Sequence, residues 1–205
     1  MRYRKMLDNL LGQKTKIKLL RYLWKQDIAQ SGRKIAQESG INHWQCNKNL
    51  KELYTEGVLT MQKAGNMHLY SLRKENYVAD KIIIPLFKAE SDLFQDLINE
   101  LKSLKLQGIL SIILFGSIVK TKEKPHSDID ILVIIANVAN KNKILQEINK
   151  RNKHFLSYYG NALSPYIITS AEFKKRQKKG DVLLKNVIRD GFVVYGKSIG
   201  EIITD

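Results

Sequence analysis

Ile109-Leu110-Ser111-Ile112-Ile113-Leu114-Phe115-Gly116-Ser117, followed after ten residues by Asp128-Ile129-Asp130-Ile131-Leu132-Val133-Ile134-Ile135, is the part of this 205-residue chain whose reading decides its fold. Each segment is an apolar run of strand length, and the pattern predicts two central, buried strands. Side chains alternate along a strand, so Asp128 and Asp130 should leave the same face, with Ile129 turned away between them. Two carboxylates a few ångströms apart repel unless a cation lies between them, and hard oxygen donors of this kind suit Mg2+ or Mn2+. Gly116 has no side chain to keep a phosphate off the backbone. Ser117 offers a hydroxyl at what the pattern predicts as the start of the next helix, where unpaired amides favour anions. Lys120, Lys122 and Lys124 follow in the intervening loop as cations for outer phosphate oxygens. No Gly-Lys pair follows Gly116, which excludes a P-loop.

The apolar strand, Gly116-Ser117 and, after a ten-residue gap that ends in Ser127, Asp128-Ile129-Asp130 on a second strand resemble the minimal nucleotidyltransferases of the DNA polymerase beta superfamily, from Ile109 to about Gly196. The resemblance implies that Gly116 and Ser117 hold the nucleotide's phosphates, and the loop position adds Lys120 to the nucleotide-binding set. The resemblance also makes Asp128 and Asp130 the catalytic metal ligands. The implied substrate is an NTP, with ATP foremost, whose nucleoside monophosphate passes to a hydroxyl on a protein, RNA or small molecule. A third carboxylate is implied on a later strand, but Leu163-Ser164-Pro165-Tyr166-Ile167-Ile168-Thr169 carries none, and Glu172 comes only at the start of the following helix. Two readings therefore stay open. One is an active transferase. The other is a DNA-binding transcription regulator, antitoxin-like, whose degenerate transferase domain senses nucleotide or a partner. His126, just before the motif, reads as a solvated loop histidine.

The rest of this half alternates helix and strand. A helix is predicted from about Lys141 to Tyr159, then the strand 163–169, a helix through Val182, Leu183, Val187 and Ile188, and a closing strand Phe192 to Tyr195. That order predicts an α/β (α+β) domain with a mixed sheet. The run Lys174-Lys175-Arg176-Gln177-Lys178-Lys179 reads as a solvated helix end.

The first seventy-odd residues follow another pattern. Ile17, Leu20 and Trp24 recur at helical spacing between Lys14 and Gln26, with Leu19 and Leu23 widening the stripe. Ser31 caps a second, short helix carrying Ile35 and Ala36, which Gly40 ends. After Gly40-Ile41-Asn42, a third helix with Cys46, Leu50 and Leu53 on one face runs to Gly57. Val58 to Met61 and Met67 to Leu72 form a hairpin across Lys63-Ala64-Gly65-Asn66. This order, with Gly32-Arg33-Lys34-Ile35-Ala36 and Leu50-Lys51-Glu52-Leu53, resembles the winged helix-turn-helix regulators over residues 13 to 74. The resemblance implies double-stranded DNA as partner. The third helix would lie in the major groove and present Asn42, His43, Trp44, Gln45, Asn47 and Lys48, while Arg33, Lys48, Lys51 and Lys63 would meet phosphates.

The predicted division is 1–75 for the winged helix, 76–107 for a connecting helical segment and 108–205 for the transferase-like domain. The connector carries Leu86, Leu93, Leu97, Leu101 and Leu104 at helical intervals. Pro85 suits its first turn, which puts Ile82 to Ile84 in an approach segment or a kink. Such a helix packs within the chain or pairs with its copy in a homodimer.

Composition agrees with a polyanion-binding globular protein. There are 35 Lys and Arg against 20 Asp and Glu, a net charge of +15. Cys46 is the only cysteine, which excludes an intrachain disulfide and a thiolate-only zinc site and fits a reducing cytoplasm. The opening residues lack the apolar core of a secretory signal, and the longest apolar run is far short of the ~20 residues that span a bilayer. No membrane partner is expected.

Overall fold

The computed structural model describes residues 6–104, 106–120, 124 and 127–204. It divides into two compact units, with the boundary between Leu93 and Phe94.

In the first unit, α1 (Met6–Leu11) and α2 (Lys14–Leu23) precede a two-residue strand, β1 (Gln30–Ser31). Ser31 then caps α3 (Gly32–Ser39), its hydroxyl accepting from the Lys34 amide. Gly40 ends α3 in the left-handed region at φ 62°, a conformation only glycine adopts without strain, and so permits the tight turn into α4 (His43–Thr55). The hairpin β2 (Leu59–Ala64) and β3 (Met67–Leu72) completes a winged helix-turn-helix fold. The sequence pattern placed Lys63 and Ala64 in the hairpin turn. They are strand residues instead, Lys63 opposite His68 and Ala64 opposite Met67, and the turn is Gly65-Asn66 alone. β1 adds a third strand by pairing with β3. Leu19, Leu20, Leu23, Ile35, Leu50, Leu53 and Tyr70 share one buried core, each large apolar side chain contributing roughly 1.5–3 kcal/mol. Cys46 lies in that core, and burial pushes its thiol up to about 11, so it is an inert packing group at neutral pH.

The predicted connector is divided rather than separate. A π-helical turn at Ala79–Ile83 runs directly into α5 (Ile84–Lys102), with Pro85 in the first turn, where its missing amide proton costs no helical bond. Ile83 and Phe87 are buried in the first unit's core, and Leu97, Ile98, Leu101 and Leu104 in the second unit's. Leu86 and Leu93, expected on one continuous stripe, are exposed.

In the second unit β4 (Ile109–Leu114), β5 (Ile129–Ile135), β6 (Leu163–Thr169) and β7 (Phe192–Gly196) form a mixed sheet in the order β6-β5-β4-β7. Only β5 and β6 run parallel. Ile129, Ile131, Val133 and Ile135 face a core shared with α5 and α6 (Lys141–Tyr159). Leu132 and Ile134 face another, shared with Phe173 of α7 (Ser170–Lys178), Leu184 and Val187 of α8 (Val182–Asp190) and Ile202 of α9 (Ile199–Thr204). A strand covered by helices on both faces has no solvent side, which explains the unbroken apolar run. The start of β5, the start of β6, the end of β4 and the start of β7 all reach one edge of the sheet. No described helix is long and apolar enough to cross a membrane.

Candidate functional site

Phe115, Gly116 and Ser117 leave β4 at that edge beside the residues entering β5, and the Phe115 amide donates to the Asp130 carbonyl at 3.0 Å. Gly116 has φ 83°, and a Cβ built there would collide with the Asp130 carboxylate. The glycine is thus required twice, for its backbone angle and for the close approach of corner to carboxylate. Asp130 is half-buried and Asp128 exposed. Burial first, and then the Asp128 charge, hold the Asp130 carboxyl above the usual carboxylate range.

The backbone on both sides of Asp128 is tied down. The Asn161 amide donates to the Ser127 carbonyl, and the Ile129 amide donates to the Ala162 carbonyl at 2.8 Å. Asn161 follows the end of α6 and gave no sequence signal, because its role depends on β6 lying parallel to β5.

Beyond Ser117 the described residues do not begin a helix. The Lys120 amide closes a turn onto the Ser117 carbonyl at 3.1 Å, and Ile118 and Val119 pack against the α5–α6 side of the sheet. Two consecutive β-branched residues favour this over a helical start. Lys120, expected at phosphate, stands 3.1 Å from the Asp190 carboxylate at the end of α8. Lys124 is exposed, and Lys122 and His126 lie outside the described residues.

The family model described as "Polymerase beta, Nucleotidyltransferase" matches residues 95–199. The chain belongs to that family. No curated protein matches it. Among solved structures it is similar to a homodimeric winged helix-turn-helix DNA-binding domain from Mycobacterium bovis, at 17% identity and TM-score 0.34, covering 46% of this chain and 81% of that one. It is also similar to a toxin-antitoxin crystal structure with AMP-PNP, at 15% identity and TM-score 0.34, covering 52% and 81%. An archaeal chromatin protein follows at 14% identity and TM-score 0.30, covering 87% and 71%. Those scores are too low to bear on function.

Within the nucleotidyltransferase domain, Asp130 has Ser164 as its register partner on β6, so that strand brings a hydroxyl and no acid beside it. Glu172 is elsewhere. Its carboxylate accepts from the Thr169 amide at 2.9 Å, in a capping box that starts α7. Thr169 lies opposite Ile135, five residues along β5 from Asp130, which at about 3.3 Å per residue is roughly 16 Å away. Among the described residues no third acidic or histidine side chain joins Asp128 and Asp130. The pair offers hard oxygens, Asp130 half-buried and Asp128 exposed, beside the glycine corner. That donor set fits a single Mg2+ or Mn2+ ion.

On the winged helix, α4 sorts the expected DNA contacts by face. His43, Asn47 and Lys51 line a cavity of about 480 Å³ with Arg33 of α3 and His68 of the wing. Trp44 and Lys48 lie on the neighbouring outer face. Trp44 is 72% exposed, with the Lys48 ammonium 5.6 Å above its ring. Three of the amides are engaged within the protein. The Asn42 oxygen caps α4 by accepting from the Trp44 amide, Gln45 donates to Thr15 at 3.1 Å, and the Asn47 amide lies 3.0 Å from the His43 ring. Gln45 shares its side of the helix with buried Asn49, and so points toward the start of α2. Lys63 is exposed on the wing. Helical spacing alone would group 45 with 44 and 48; only the packing of α2 separates them.

Gly116→Ala should lower stability in urea unfolding by at least about 1 kcal/mol, from the left-handed backbone alone. Combined with Asp130→Ala, which removes the colliding carboxylate, part of that loss should return. Strictly additive effects would mean that the corner and the carboxylate are not in contact.

Proposed function

We propose that the protein is a nucleotidyltransferase that moves a nucleoside monophosphate, AMP first among them, from an NTP to an acceptor hydroxyl on a protein, RNA or small molecule, and that its winged helix holds it on double-stranded DNA. The observation that carries the reading is the Gly116 corner lying against Asp130, with Asp128 close enough to raise the Asp130 carboxyl. A triphosphate approaching the half-buried glycine would meet backbone that no Cβ shields, and the Ser117 hydroxyl. Asp128 and Asp130 would hold Mg2+ or Mn2+, which supplies charge neutralisation and alignment of the triphosphate when bound. The acceptor oxygen forms a bond to the α-phosphorus as the bond to the pyrophosphate oxygen breaks, and the hydroxyl proton passes to solvent. Positioning provides most of the rate, so the protein residues need do little covalent chemistry.

One observation favours a second reading, in which the domain binds nucleotide as a signal for a DNA-bound regulator. The carboxylate that would activate the acceptor is replaced by Ser164 at the register position, and Glu172 is committed to a helix cap.

Incubation with labelled ATP, Mg2+ and cell extract separates the two. Label should pass to an acceptor with the native chain and fall at least a hundredfold with Asp128→Ala/Asp130→Ala. Nucleotide binding without transfer would support the sensing reading, and equal labelling by both proteins would remove the enzymatic one.

For the DNA half, the outward cations of α4 support phosphate binding. Lys48→Ala/Lys51→Ala should weaken duplex binding on all sequences and lower the slope of log affinity against log salt by about 1.8, near 0.9 for each phosphate no longer neutralised. An unchanged slope would contradict the groove assignment.

A further inference from the structure

The turn that carries the Gly-Ser corner is held from two sides. Ile118 and Val119 pack it against the α5–α6 side of the sheet. On the other side the Lys120 ammonium sits 3.1 Å from Asp190, which closes α8 just before β7 pairs with β4 at Leu114 and Phe192. Asp190 is itself gripped by Arg189, whose Nε donates to one carboxylate oxygen at 2.9 Å and whose terminal nitrogen donates to the other at 2.8 Å. Arg189 is further fixed by its bond to the Asn186 side chain at 3.2 Å. Arg189 and Lys120 together keep the Asp190 carboxyl far below the usual carboxylate range, so it stays charged at any working pH.

We infer that Lys120 and Asp190 are positioning residues: their ion pair fixes the Gly116–Lys120 turn, and phosphate binding falls to Gly116 and Ser117, not to the Lys120 ammonium. For Lys120 to reach a phosphate it would have to leave Asp190 as a like charge beside the triphosphate, giving up one attraction and adding a repulsion. Held where it is, it instead stops the turn from swinging away from Asp130. The geometry of the turn stands on its own. Its consequence for nucleotide rests on the binding reading above.

The test is a charge swap in the full chain, read by amide hydrogen exchange of residues 117–120 and by affinity for ATP with Mg2+. Lys120→Asp and Asp190→Lys should each speed exchange in the turn about three- to fivefold, the range expected for a partly exposed pair, and weaken ATP by a similar factor. In Lys120→Asp/Asp190→Lys the opposite charges are restored with positions exchanged, and the new carboxylate also faces Arg189. Exchange and affinity should both return to within about twofold of the native chain. Two outcomes overturn the inference. One is exchange that ignores both single substitutions. The other is a double variant that regains slow exchange but binds ATP no better than Lys120→Asp, which would make Lys120 a phosphate ligand. A native chain that binds no ATP would instead overturn the nucleotide reading, and the exchange rates would still decide whether the pair anchors the turn.

Discussion

Two negative charges at the start of one strand, with the nearer held against a glycine corner, are the constraint around which the second unit is arranged. Left alone, Asp130 costs stability in its charged form, because burial and then the neighbouring Asp128 charge both disfavour it. The fold nevertheless fixes them in place. β5 is pinned between helical layers by Ile residues on both faces, and the entry to it is tied to the end of α6 through Asn161 and Ala162. The cation and nucleotide roles proposed above would give that arrangement its use.

The same logic accounts for the edge as a whole. Parallel β6 brings Ser164 beside Asp130, and antiparallel β4 and β7 bring Gly116 and Asp190 to the same rim. Among the described residues Lys120 and Arg189 are both paired with Asp190, so in the proposed reading the triphosphate would meet the Gly116 backbone, the Ser117 hydroxyl and the carboxylate pair in place of the Lys120 ammonium. On the winged helix the cations of the third helix and the wing are outward and exposed. Lys48, Lys51 and Lys63 are the exposed lysines on which the proposed contacts to a phosphate backbone rest.

Much of this was legible in the sequence because burial on both faces leaves a continuous Ile-rich run, and because glycine and paired aspartates at fixed spacing admit few uses. β5, α6 and β6 fall where the pattern puts them. What stayed illegible depended on distant packing. The division of α5 between two cores is invisible in a helix whose leucines keep one period throughout. That Gln45 also donates to Thr15 could not be read from its own helix, because α2 brings Thr15 beside it. The ion pair of Lys120 was equally hidden, because Asp190, seventy residues later, is brought to it only by the pairing of β7 with β4. Glu172 could be doubted from sequence and is assigned by structure, since the strand's own length carries it to the far edge.

Whether the two aspartates hold a cation together with nucleotide decides the most. Mn2+ binding followed by electron paramagnetic resonance, with a non-hydrolysable ATP analogue present, should reveal one tight site in the native chain that is lost in Asp130→Asn. Equal Mn2+ occupancy in both proteins, or none in either, would contradict the nucleotide-binding role of the pair.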